Sequence, residues 1–382
     1  MKKSLAVLLL VALLLSITPV LAQGGDTLTL LCTPQEDWCV AMTQAFQEQT
    51  GIVTSYVRMS SGEALARLRA TAGNPEFSVW WGGPADTFFA AADEGLLEPY
   101  DSPNAQLIDP KYRDAEGKTW TGVYVGVLGF CSNKQILEEL GVEPPTSWQD
   151  LLNPALQGNV AMAHPATSGT AFTAFWTNVT LAADALERAA MEEQGMDEEA
   201  IAEALAAGEY VGAGYDETGA PTQEAIDNAF AYFAQLHQNI LQYTRSGAAP
   251  GRMAGAGEIA VAIIFSHDCV KLQQEGFADI LVTTFPEEGT GYEIGGMAII
   301  KGAAEPEAAR AWYEWALTAE AQAIGPTVNS LQLPTNPEAP VSELSVKLDE
   351  VNLLNYNFVA AGANRTAIVE RFDAEIAPEP VE

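Results

Sequence analysis

Two short stretches, Ser60-Ser61-Gly62-Glu63 and Ser168-Gly169-Thr170, place hydroxyls and small residues where a helical pattern starts after a strand. The first turn of a helix leaves backbone N–H groups unpaired at the positive end of its dipole, so such a spot suits a phosphate or a carboxylate. Serine there also serves as an ordinary N-cap. Two such starts in facing parts of one molecule make the anion site the stronger reading. Ser246, in Arg245-Ser246-Gly247-Ala248, offers a further hydroxyl from what otherwise reads as a simple loop. His267-Asp268 follows an apolar run and is expected to project from a strand end, His267 donating to an anion and Asp268 accepting from hydroxyls or an amine. Asp86 and Glu288 are the other candidate acceptors, because a carboxylate accepts from any hydroxyl within reach; their alternative role is plain surface charge. Trp80 and Trp81 alternate faces of a strand. One is expected in the core, and the other either joins it or stacks on a sugar ring.

No catalytic residue is predicted. Ser266, His267 and Asp268 are consecutive, and neighbours in an extended strand point to opposite sides, so they form no relay. The chain has no Gly-x-Ser-x-Gly, no His-Glu-x-x-His and no Gly-x-x-x-x-Gly-Lys-Ser/Thr. A secreted hydrolase is therefore the weakest reading. No cofactor is predicted and no metal site: there is no Cys-x-x-Cys, and the histidines are His164, His237 and His267.

The elements that must position these residues alternate. Residues 27–31 read as a strand, 36–49 as a helix closing at Gly51, 52–59 as a strand, and 60–63 as a helix opening. Residues 77–81 form a third strand, and Pro84-Ala85-Asp86 opens a third helix. Such alternation implies right-handed βαβ units and a mainly parallel sheet, with ligands beyond the carboxyl ends of the strands. That rule gathers Thr33, Ser60, Ser61, Gly83 and Asp86 at one edge. Further on, residues 120–133 are extended, 135–140 helical, and Ser147 caps another helix. Strands are expected at 159–163, 258–265, 280–285 and 292–300, a long amphipathic helix at 223–242, and helix beyond Pro306 broken at Pro334, Pro337 and Pro340. No internal repeat is present.

Residues 1–22 have the layout of a secretory signal peptide: Lys2-Lys3, an apolar run over 5–15 too short to span a membrane, and Val20-Leu21-Ala22 before Gln23. A soluble, exported, periplasmic protein is expected. In an oxidising compartment the four cysteines read as disulfides, with free buried thiols as the alternative. Of three possible pairings, Cys32 with Cys39 is the cheapest closure, leaving Cys131 with Cys269. The remaining length suits two lobes rather than one core. The formal net charge of −33 repels nucleic acid and anionic lipid, which excludes both as partners.

Three stretches carry a family resemblance: Ser147-Trp148-Gln149-Asp150-Leu151-Leu152-Asn153-Pro154, Pro165-Ala166-Thr167-Ser168-Gly169-Thr170, and Pro286-Glu287-Glu288-Gly289-Thr290-Gly291-Tyr292. With the order of elements, they resemble the type 2 periplasmic solute-binding proteins of ABC transporters, in the branch that binds ferric iron, phosphonates and sugar phosphates. Trp80-Trp81-Gly82-Gly83-Pro84-Ala85-Asp86 and Ser266-His267-Asp268 look most similar to the hexose-phosphate-binding subgroup. The resemblance implies a two-lobed α/β fold, mainly parallel sheets flanked by helices, with two crossover hinge strands near 124–130 and 289–296. Lobe 1 would then comprise 24–123 plus 297–382, and lobe 2 124–296, closing on a ligand between them. It implies a monomeric receptor that takes a phosphorylated sugar, or a similar small organic phosphate, to the membrane permease of an ABC importer. Ferric iron and an aminoalkyl phosphonate are the alternatives. Iron binders of this kind use adjacent tyrosines, and no tyrosine here is followed by another. The predicted ligand set is Thr33, Ser60, Ser61, Gly83, Asp86, Ser168, Gly169, Thr170, Ser246, His267, Asp268 and Glu288.

Overall fold

The computed structural model of the protein describes residues 27–380, so the leader assigned to residues 1–22 lies outside it. Strand β1 (Thr27–Cys32) sends Leu28 and Leu30 into one apolar cluster and Leu31 into another, as the two-residue period of a strand requires. It pairs in parallel with β2 (Val53–Arg58) and with β3 (Val79–Pro84). Helices α1 (Glu36–Thr50) and α2 (Ser61–Thr71) make the crossovers, and α3 (Ala85–Asp93) follows β3. Beyond the short β4 (Leu97–Glu98) comes β5 (Thr121–Asn133), buried along its whole length.

Strand β5 joins the two halves of the molecule. Its residues 121–127 pair antiparallel with β10 (Tyr292–Ile300), which in turn pairs with β3. Its residues 128–133 pair instead with β8 (Val261–Phe265) and β9 (Leu281–Thr284). In the second half, β6 (Val160–Ala163) lies parallel to both β7 (Ile240–Thr244) and β8. Around it stand α4 (Lys134–Leu140), α5 (Gly169–Glu193), α6 (Glu198–Ala207), α7 (Gln223–Leu236), α8 (Ala249–Ala256) and α9 (Ser266–Leu272). The strand order is β2-β1-β3-β10-β5-β8-β6-β7, with β11 (Leu333–Pro334) beside β5. Parallel strands form the heart of each half and long antiparallel strands connect them: a two-lobed α/β fold. Among the described residues no helix is long and apolar enough to cross a membrane.

Both tryptophans of β3 belong to the core, which removes the sugar-stacking option. Trp80 stacks on Phe88 with ring centroids 4.2 Å apart, while Trp81 meets Trp38 edge-on at 5.1 Å on the other face. The second half has its own core around Phe175, Phe230 and Phe233. The C-terminal helix, Phe358–Glu375, touches both halves: it packs on α3 and sends Ile368 and Phe372 into the Phe175 cluster. One helical pattern was too long. Helix α7 stops at Leu236 because Asn239 donates to the carbonyls of Leu151 (2.7 Å) and Asn153 (3.0 Å), turning the chain so that Ile240 pairs with Val160. Both disulfides form as expected, Cys32–Cys39 across 7 positions of sequence and Cys131–Cys269 across 138.

Candidate functional site

The carboxyl ends of β1, β2 and β3 face those of β6 and β8 across a cleft that encloses about 470 Å³ of space, counting its open mouth. From the first half come Thr33, Ser60, Ser61 and Gly83; from the second come Ser168, Gly169, Thr170, Ser246, His267 and Asp268. The structure therefore brings ten of the twelve expected residues to one cavity.

The helix starts meet almost head to head. The amide of Gly62, in the first turn of α2, donates to the Thr167 carbonyl at 2.9 Å. A Cβ on Gly62 would stand 1.9 Å from the Ala166 carbonyl oxygen, and one on Gly169 would stand 2.5 Å from Ser61 Oγ. Only residues without a side chain permit this approach. It aims the amino ends of the 11-residue α2 and the 25-residue α5 into the same space. Some of the serine chemistry is capping: the Ser60 amide donates to Glu63 at 3.1 Å, and Ser168 Oγ accepts at 3.5 Å from Ala171. Replacing Gly62 by alanine should hold the cleft ajar and weaken ligand binding at least tenfold, yet leave the melting of the empty protein nearly unchanged. Calorimetry together with small-angle scattering checks this, and a liganded variant as compact as the wild type would refute it.

Acceptors form a second group. His267 and Asp268 occupy the first turn of α9 rather than a strand end, because the chain turns helical as soon as β8 finishes at Phe265. They still look into the cavity, with His267 Nε2 3.9 Å from Asp268 Oδ2. Burial pushes the His267 imidazole down, against the pull of Asp268, and its Nδ1 has no hydrogen-bond partner among the described residues. Beside it lies Glu293, from β10. A Cβ on Gly126 would meet His267 Nδ1 at 2.9 Å and Glu293 Oε1 at 3.0 Å, so this glycine of β5 leaves the room in which both side chains sit. Burial raises the Glu293 carboxyl well above the usual range, and the charges of Asp268 and Asp86 add to the effect.

Two expected ligands are elsewhere. Asp86 is fully buried in α3 and pairs at 2.5 Å with Arg365 of the C-terminal helix. Gly362 permits the close packing that brings them together, since a Cβ there would stand 2.7 Å from the Asp86 carbonyl oxygen. Burial pushes the Asp86 carboxyl up to about 6 against the downward pull of Arg365. Glu288 is a turn cap, accepting from Ser147 Oγ at 2.9 Å and the Trp148 amide at 2.7 Å. Those partners, 141 and 140 positions away in sequence, take up the carboxylate outside the cleft.

Sequence reasoning passed over Arg58, Tyr124, Glu293, Gln35 and Gln332, all of which line the cavity. Glu293 had a visible signal: it is the one charged residue in the apolar run Tyr292–Ile300. Arg58 had one too, standing two positions before Ser60. Tyr124, whose hydroxyl accepts from the Gly83 amide at 3.0 Å, and the two glutamines had none.

A match over residues 41–350 to the bacterial extracellular solute-binding proteins decides the kinship. The chain belongs to that family. Proteins of this kind capture a small ligand and deliver it to an ABC permease. This solute-binding protein is 33% identical to the periplasmic binding protein AfuA from Actinobacillus pleuropneumoniae, solved with exogenous fructose-6-phosphate bound; the match covers 92% of this chain and 98% of that one, with a TM-score of 0.77. The periplasmic binding protein P5PA is 28% identical, over 92% and 99% of the two chains, with a TM-score of 0.76. A protein of Haemophilus influenzae is 32% identical over 362 residues, 93% of this chain and 92% of its own.

Proposed function

We propose that this protein is the receptor of an ABC importer for a monosaccharide phosphate. The observation that carries the reading is the sorting of donors and acceptors in one cleft. Helix amides with Ser61, Ser168, Thr170 and Arg58 suit a phosphate. Asp268 accepts from hydroxyls, while Glu293, inclined to hold its proton, and the open Nδ1 of His267 can each pair with a hydroxyl as donor or acceptor. The likeness to AfuA, solved with fructose-6-phosphate, supports the same class. Ferric iron fits the cavity less well. Iron wants several anionic or imidazole ligands together, and among the described residues no group of three or more His, Cys, Asp and Glu side chains could hold a metal ion.

Calorimetric titration with fructose-6-phosphate, fructose, inorganic phosphate and ferric citrate tests the proposal. Fructose-6-phosphate should bind far more tightly than either of its parts alone. Tight ferric binding without sugar-phosphate binding would overturn the reading. Glu293→Gln gives a second check. The folded carboxyl sits above its ordinary 4.5, so the folded state holds the proton that the unfolded chain has released. That contribution is fully present below 4.5 and is lost as pH rises toward the raised value, with a slope of at most about 1.4 kcal/mol per pH unit. The glutamine variant has no such loss. Its melting temperature should therefore gain on the wild type as pH rises above 4.5, while its sugar-phosphate affinity falls roughly tenfold.

A further inference from the structure

A row of three side chains crosses the cleft. Gln332, just before β11, donates through Nε2 to Gln35 Oε1 at 3.3 Å, and Gln35, just before α1, donates through Nε2 to Asp268 Oδ1 at 2.7 Å. The second bond spans the two halves of the molecule, so the row is complete only with the cleft closed. An amide has one accepting and one donating end, and either orientation fits the same shape. Here the ambiguity is removed from one side. Asp268 Oδ1 accepts, so Gln35 presents its NH₂ to it and turns its carbonyl toward Gln332. Gln332 must then offer its own NH₂ to Gln35, leaving its Oε1 unpaired. That oxygen is buried without a hydrogen-bond partner among the described residues, on a side chain only 5% exposed in the cavity wall.

We infer that Gln332, in the cavity wall, is a specificity-determining residue whose unpaired oxygen, oriented by Asp268 through Gln35, selects a ligand hydroxyl and rejects a charged oxygen at that point. The ligand class narrows to monosaccharide monophosphates with a free hydroxyl there; bisphosphates and phosphorylated sugar acids that place an anionic group against Gln332 are excluded. A buried acceptor facing an anion leaves both unsatisfied, which is how a polar site discriminates. The inference rests on the monosaccharide-phosphate reading of the cleft.

Three measurements test it. In a crystal structure of the wild type with fructose-6-phosphate, a sugar hydroxyl should lie within hydrogen-bond reach of Gln332 Oε1; any other ligand group there, or none, overturns the assignment. By calorimetry, Gln332→Met, similar in length but without the acceptor, should bind fructose-6-phosphate roughly five- to fiftyfold more weakly. The same substitution should cost nothing for the one monodeoxy analogue that lacks the matching hydroxyl, whereas an equal loss for every analogue points to general disruption and sinks the idea. Gln332→Lys, which replaces the acceptor by a donor, should improve fructose-1,6-bisphosphate relative to the monophosphate; an unchanged ratio counts against the inference. A wild type that binds no sugar phosphate at all overturns the proposed ligand class and this assignment with it. Normal fructose-6-phosphate binding by Gln332→Met overturns the assignment alone.

Discussion

Asp86→Ala is expected to destabilise the protein by about 3–5 kcal/mol, because it leaves the Arg365 guanidinium buried without its anion. Arg365 is only 3% exposed, and it also makes a 3.3 Å bond to the Pro165 carbonyl and lies 4.3 Å from the Phe172 ring. Neither replaces a carboxylate at 2.5 Å. The loss should also be felt in both halves of the molecule, since Asp86 stands on α3 while Pro165 and Phe172 belong to the second half. Urea unfolding at neutral pH checks the magnitude. The double change Asp86→Leu with Arg365→Met should recover most of the loss, as an apolar pair of similar volume often does. Wild-type stability in Asp86→Ala would show that the pair carries no weight, and a selective loss of ligand affinity would return Asp86 to the binding site.

The second large effect concerns the two disulfides, and the chain-entropy account ranks them. Opening Cys131–Cys269, with 138 positions between its ends, should cost about 5 kcal/mol; opening Cys32–Cys39, with 7, should cost about 2 kcal/mol. Alanine pairs at each bridge, compared by thermal unfolding, test the order. Equal losses would mean that local packing outweighs the loop entropy. Each bridge also abuts the cleft: Cys32 precedes Thr33, and Cys269 follows Asp268. Loss of the long bridge should therefore loosen the first turn of α9 and weaken ligand binding as well as stability.

The alternation of strand and helix was legible because apolar period and helix starts are local signals. Strand β10 falls at 292–300, as its β-branched and apolar run indicated, and Ser60 and Ser168 stand where the helices begin. What could not be read was partnership at long range. Nothing near Asp86 announces Arg365, 279 positions away, and an acidic residue opening a helix looks the same whether it faces a ligand or a buried guanidinium. Glu288 failed for the same reason: its partners, Ser147 and Trp148, lie in a turn that comes beside it only when the second half folds. The strand at 240–244 was hidden because Ile240 and Leu241 continue the apolar period of α7, and only the tertiary bonds of Asn239 end the helix.

The backbone contact between Gly62 and the 166–167 segment makes the cleft a gauge of fixed setting. When the two helix starts touch, main chain rests on main chain, and no side-chain rotation can change the gap. A ligand too small for that gap gains nothing from further closure, because there is none. A ligand too large keeps the halves apart and forfeits the bond of Gln35 to Asp268. Length is thus read by the skeleton of the protein, independently of the side chains that read chemistry. On the proposed reading, substitutions at His267 or Glu293 change which groups are accepted, while the size that is accepted stays the same.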